Sequence, residues 1–237
     1  MDIIWQGIKQ AAILIFTGDR EIYEILFLTL KVSGSAVLFS MLLGIPLGVL
    51  VGLNKFPLKR FVTAIINTGM GLPPVAAGLI VTLFVWRSGL LGFLELMYTP
   101  AAMVIAQVLI ASPIIAGITL AAVQQIDPKL RQQALSLGAN RFQVFWILIR
   151  EARLPALAAI MAGFGGVISE VGAVTMVGGN IKGETRVLTT ATVQMVRMGK
   201  FAIAIALVII LLILAFGVNF LLTLIQQKEE VGWSRRF

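Results

Sequence analysis

A chain of 237 residues that is 59% hydrophobic and only 13% charged cannot be a soluble globular domain of ordinary composition, and it reads as an all-α polytopic membrane protein. It contains no cysteine and no histidine, which excludes a disulfide framework and the commonest metal and acid-base chemistry. The net charge of +8 lies beside apolar spans, as topology-setting charges and contact with anionic lipid require, and no basic patch with interleaved aromatics points to nucleic acid.

Residues 2–16 carry an apolar run too short to span a bilayer and lack a positive leader, so an interfacial helix is expected, with Trp5 at the headgroup boundary. A first span covers about 22–53, where Gly44, Gly48 and Gly52 recur every four residues around Pro46. Glycines stacked on one face let a second helix approach closely. The basic turn NKFPLKR (54–60) leads into a second span over about 61–86, broken by Gly69, Gly71, Pro73 and Pro74. Consecutive prolines remove two backbone donors at membrane depth, which fits either a simple kink or a break that lines a pathway. The third span, about 100–123, contains Gln107, Ser112 and Pro113.

The stretch 127–153 is the one long polar interruption. Asp127 and Pro128 form a helix-start signal. Leu130, Ala134, Leu137, Phe142 and Phe145 follow at near-helical spacing, while Lys129, Arg131, Gln132, Gln133 and Arg141 take other faces. Gly138-Ala139-Asn140 is a helix C-terminal turn, after which a second helix enters the membrane near Leu154-Pro155.

The fourth span is crowded with small residues (Ala156, Ala158, Ala159, Ala162, Gly163, Gly165, Gly166) and belongs in the middle of a bundle. Glu170 in its far half is costly unless protonated, paired or wet, so a functional role is its default reading, and Arg186 is one candidate partner. A polar connection over 178–199 has room for a short amphipathic helix, and the uniformly apolar span 201–225 reads as peripheral. GGNIKGET (178–185) has the glycine spacing of a phosphate loop but carries Glu184 where the phosphate-binding lysine must stand. The chain is therefore not expected to hydrolyse ATP. A single transmembrane domain over 1–237 is expected, with a tail after 225 too short for a regulatory domain. Most Lys and Arg fall on one side if the 54–60 turn, the 127–153 loop and the tail are cytoplasmic, which places the N-terminus outside and the C-terminus inside.

Gln133-Ala134-Leu135, Leu137-Gly138-Ala139 and Leu154-Pro155 resemble the EAA loop of ATP-binding-cassette importer permeases, the loop that docks into the ATPase subunit. Gln133 stands where Glu is common, and the gap to Leu154-Pro155 is about one helical turn longer than in the commonest form. ISEVGAVTMVGGNI and GETRVLTTATVQM resemble the same region of the molybdate, sulfate and tungstate permeases, with Val171 in place of a Phe, and the whole chain looks most like the tungstate type.

That resemblance implies the type I importer permease architecture: about five transmembrane helices, an N-terminal interfacial helix and a cytoplasmic coupling helix, in a bacterial or archaeal plasma membrane. It implies a second copy of the chain, two ATP-binding subunits that hold the ATP, an external oxyanion-binding protein, and no cofactor in the chain itself. The docking residues would be Gln133, Ala134, Leu137, Gly138, Phe142 and Phe145. Pathway or gate residues would be Glu170, Ser112, Pro73 and Pro74. The competing readings are a permease for an amino acid such as methionine, a channel or proton-coupled carrier with Glu170 as relay, and a structural membrane subunit.

Overall fold

A computed structural model describes the backbone of residues 2–234 and side chains through residue 228, and among these residues it contains no strand. Helix α1 (Asp2–Phe16) is followed by α2 (Arg20–Leu53), whose first turn is capped by the Asp19 carboxylate accepting from the Ile22 N–H. Next come α3 (Lys59–Met70), α4 (Pro74–Val85) and, after a short 3₁₀ turn, α5 (Pro100–Gln124). A hairpin of α6 (Pro128–Ser136) and α7 (Arg141–Glu151) precedes α8 (Arg153–Ile168), α9 (Gly172–Gly178), α10 (Leu188–Arg197) and α11 (Phe201–Ser234).

Helices α2, α5 and α11 are each long and apolar enough to cross a membrane, and the bent pairs α3/α4 and α8/α9 bring the number to five where each pair is taken as one span. Five spans is therefore the expected layout, but two are bent far beyond a kink: by 104° between α3 and α4 and by 58° between α8 and α9. The first bend removes the simple-kink reading of Pro73-Pro74. Pro74 opens α4 at its first position, where a missing N–H costs nothing, and Pro73 precedes it in extended geometry, so the chain leaves α3 and restarts in a new direction.

Core packing follows the glycine spacing of α2. A Cβ on Gly44 would lie 2.9 Å from the Ser112 carbonyl oxygen, one on Gly48 would lie 2.5 Å from that of Ala116, and one on Gly52 would lie 2.8 Å from Val123 Cγ1. All three glycines face α5, so these two helices touch backbone to backbone. Helix α8 packs one face on α5 and α11 through Ile160, Gly163, Phe164 and Val167. Its other face, with Pro155, Ala158, Ala162 and Ser169, is exposed, so within one chain it is half covered rather than surrounded. Helix α11 is peripheral as expected, with Leu212, Phe216 and Leu221 exposed and Ala204, Leu207 and Ile210 buried. It continues past residue 225, and Arg235 and Arg236 of the tail lie outside the described residues. Helix α1, too short to cross, lies along α11, with Gly7 against Ile205 and Trp5 exposed.

Candidate functional site

Two constructions stand apart from ordinary bundle packing: the α6–α7 hairpin at one end and the meeting of the two bent spans inside.

In the hairpin, the Asp127 carboxylate accepts from the Lys129 N–H at 2.8 Å and Pro128 takes the first helical position. Gly138 closes α6 at φ +84°, the left-handed region. The Gly138 N–H donates to the Leu135 carbonyl and the Ala139 N–H to the Ala134 carbonyl, both at 3.0 Å, the two bonds of a Schellman turn. Asn140 then starts α7 with a capping box: the Asn140 side chain accepts from the Gln143 N–H and the Gln143 side chain accepts from the Asn140 N–H, each at 2.8 Å. Both helix ends at the tip are thus satisfied locally.

The five residues read as one apolar face do not share it. Ala134 packs inward with Leu130, Val144, Leu148 and Ala139. Leu137 and Phe142 point out, 87% and 68% exposed, and Phe145 is half-buried. The Gly138 turn resets the helical phase, so spacing counted across it assigns faces wrongly. Val144 and Leu148 are the anchors that reading missed; their own four-residue spacing within α7 was the available signal. Trp146, 54% exposed, sits edge-on to Phe142 at 6.1 Å and to Phe145 at 6.2 Å between centroids. Gln133 is exposed on α6. The tip therefore presents Gln133, Leu137, Gly138 and Phe142 outward on a frame held by Ala134.

Inside the bundle, the two bends touch. A Cβ on Gly172 would lie 3.2 Å from Val75 Cγ2, and one on Gly78 only 2.8 Å from Ala173 Cα, so the start of α4 beside Pro73-Pro74 is pressed against the start of α9. Glu170 sits in the α8–α9 break and is buried. Its carboxylate accepts from the Ala173 N–H at 2.8 Å, and its carbonyl accepts from the Thr189 hydroxyl at 2.9 Å. At the end of α8 the Val167 carbonyl accepts both from the Glu170 N–H at 3.2 Å and from the Gln107 side-chain amide of α5 at 3.0 Å. Backbone freed at membrane depth needs such partners. Gln107 was legible only as a polar residue of its span, although a buried amide in an apolar helix is itself a signal.

Arg186 does not pair with Glu170. Its guanidinium lies 3.4 Å from Glu21, which also takes Lys182 at 2.5 Å, so these cations tie the 178–187 connection to the start of α2. Ser112 makes no hydrogen bond to the meeting of the two bends, the elbow: it donates to the Val108 carbonyl at 2.6 Å and lies 3.4 Å from the Ser40 hydroxyl. Val75, beside Pro73-Pro74, and Gly172, two residues after Glu170, thus come together at the elbow, while the hydrogen bonds of Ser112 go to Val108 and Ser40. Among the described residues no group of acidic side chains is placed to hold a metal ion.

Residues 44–231 match the family model described as the binding-protein-dependent transport system inner membrane component. The tungstate uptake system permease protein of Peptoclostridium acidaminophilum is 37% identical over 228 residues, covering 96% of this chain and 100% of that one. A probable anion ABC transporter permease protein of Haloferax volcanii is 42% identical over 210 residues, covering 85% and 90% of the two. In fold, the chain is like the inward facing methionine ABC transporter, with a TM-score of 0.72 and 20% identity over 88% of this chain and 95% of that one.

Proposed function

The chain belongs to the family of binding-protein-dependent transport system inner membrane components, and on that premise we propose that it carries a tetrahedral oxyanion, tungstate or its near relative molybdate, as the transmembrane subunit of an ATP-driven importer. The observation that carries this reading is the hairpin: a preformed turn whose Leu137 and Phe142 are uncovered while its own core is satisfied. Such a surface is built for a partner rather than for the bundle. A separate ATP-binding subunit would take it, with Gln133, Leu137, Gly138 and Phe142 as the docking surface, Phe145 at its edge and buried Ala134 holding the frame beneath.

A second copy of the chain covers the small-residue face of α8, because Pro155, Ala158, Ala162 and Ser169 offer lipid little to pack against and a facing helix much. The hairpin end lies in the cytoplasm and the α10 end outside, where a binding protein delivers the anion. ATP closes the two ATP-binding subunits, the docked hairpins move together, and the paired elbows change the pathway between the two copies of α8. Purified with its ATP-binding subunit, the complex is expected to show two copies of this chain by native mass. In proteoliposomes with loaded binding protein it is expected to take up tungstate or molybdate only with ATP. One copy per complex, or uptake without ATP, would sink the reading in favour of a stand-alone channel or carrier.

Within it, Glu170 holds the elbow rather than contacting the cargo, since a carboxylate repels a dianion and this one already accepts from the Ala173 N–H. Glu170→Gln keeps an oxygen at that position and is expected to preserve uptake and ATP hydrolysis within about twofold. Glu170→Leu leaves the buried Ala173 N–H without its acceptor, a loss of about 1–3 kcal/mol, and is expected to lower both thermal stability and uptake. Raised basal hydrolysis in the Gln variant would make Glu170 a gate. Uptake made insensitive to an imposed pH gradient by the same variant would make it a proton relay.

A further inference from the structure

Where the last turn of α2 meets the hairpin, a cleft of about 690 Å³ gathers three cations, Lys55, Arg131 and Arg141, with no carboxylate among its lining residues. Arg131 donates weakly to the Leu53 carbonyl at 3.4 Å, and none of the three makes an ion pair among the described residues. Three like charges around one cleft repel unless an anion sits between them. The remaining walls are mainly apolar, with Leu50, Phe142 and Phe145 prominent.

The Leu50 wall does not end at the cleft. It continues along α2 through Leu47 and Leu43, exposed by 49%, 43% and 59% in that order. These residues follow one helical face, so the stripe runs from the cationic cleft into the depth of the membrane. A ligand that matches both parts must carry a phosphate-like charge at one end and hydrocarbon at the other. We infer that the cleft seats an anionic phospholipid, its headgroup phosphate among Lys55, Arg131 and Arg141 and one acyl chain along Leu50, Leu47 and Leu43. A docked ATP-binding subunit would touch the outer edge of the same cleft at Phe142, and an acidic side chain on it would suit the cations, but it would leave the stripe of Leu47 and Leu43 inside the membrane span bare. Inorganic phosphate would likewise leave the stripe unused. A lipid held there bridges α2 and the hairpin, so the hairpin's position senses the charge of the surrounding leaflet.

The test is native mass spectrometry of the detergent-purified protein titrated with phosphatidylglycerol or with phosphatidylcholine of the same acyl chains. One phosphatidylglycerol is expected to be retained with about tenfold preference. Lys55→Gln and Arg141→Gln, both at exposed positions that leave folding intact, are expected to cut that retention about fivefold each. Lys200→Gln, outside the cleft, is expected to change nothing. Equal retention of the two lipids would overturn the inference, as would preference that survives both cleft variants. Displacement of phosphatidylglycerol by inorganic phosphate would identify a free anion as the occupant and overturn it too. So would expulsion of the lipid by added ATP-binding subunit, since the cleft would then belong to that interface.

Discussion

Gly48→Ala is expected to unfold or misassemble the protein, whereas Gly34→Ala on the same helix is expected to be tolerated or slightly stabilising. Both changes add one methyl group to α2, and the difference lies in what that methyl meets. At Gly48 it would sit 2.5 Å from the Ala116 carbonyl oxygen, 2.8 Å from Thr119 Cβ and 3.0 Å from the Leu120 backbone nitrogen. None of these atoms is the far end of a flexible side chain, so α2 and α5 must part along their whole contact. Overpacking a tight interface typically costs about 1–3 kcal/mol, and here the strain falls on two backbones that cannot rotate away. Moving the helices apart would also loosen the neighbouring approaches at Gly44 and Gly52. At Gly34 the methyl would meet nothing within 4 Å. Replacing a helical glycine there recovers up to about 1 kcal/mol of backbone entropy. Thermal unfolding of the two variants in the same detergent decides it. Equal midpoints would show that the glycine stack does not set the α2–α5 distance.

The stack was legible because its evidence is periodic: three glycines four residues apart have one sensible use in an apolar helix. The hairpin was legible for another reason, since Asp127, Pro128 and Gly138 each act on their own backbone and need no tertiary context. What spacing could not carry was anything decided across a turn or between spans. Leu137 and Phe142 were grouped with Ala134 by counting through Gly138, and the change of phase there sends them outward instead. The contact between the α3/α4 and α8/α9 bends joins residues about a hundred positions apart, Val75 with Gly172 and Gly78 with Ala173, and no local pattern encodes it. Glu170 stood out as a buried carboxylate, yet its partner turned out to be a backbone N–H three residues on, whereas Arg186, one candidate partner, is held by Glu21. A charge in an apolar run invites a search for an opposite charge. A helix that restarts after a break supplies free N–H groups, which serve as well.

Gly138→Glu is expected to abolish association with the ATP-binding subunit while leaving the chain inserted and folded. The reason is the geometry of the tip. Gly138 lies in the left-handed region at φ +84°, and a side chain added there would meet nothing within 4 Å of the chain itself, so it would project from the turn between Leu137 and Ala139. On the proposed docking surface that space belongs to the partner, and a glutamate would put bulk and charge in it. The backbone conformation is a separate effect, because a non-glycine residue in this region costs about 1–2 kcal/mol. Two further variants separate the causes. Gly138→Asn tolerates the left-handed conformation best, and Gly138→Ala carries the backbone cost with little bulk. If the docking surface is placed correctly, both are expected to co-purify the ATP-binding subunit at near wild-type yield, and only Gly138→Glu fails. If strain in the turn were the cause, Gly138→Ala would fail as well. Co-purification of the glutamate variant at wild-type yield would remove the tip of the hairpin from the interface altogether.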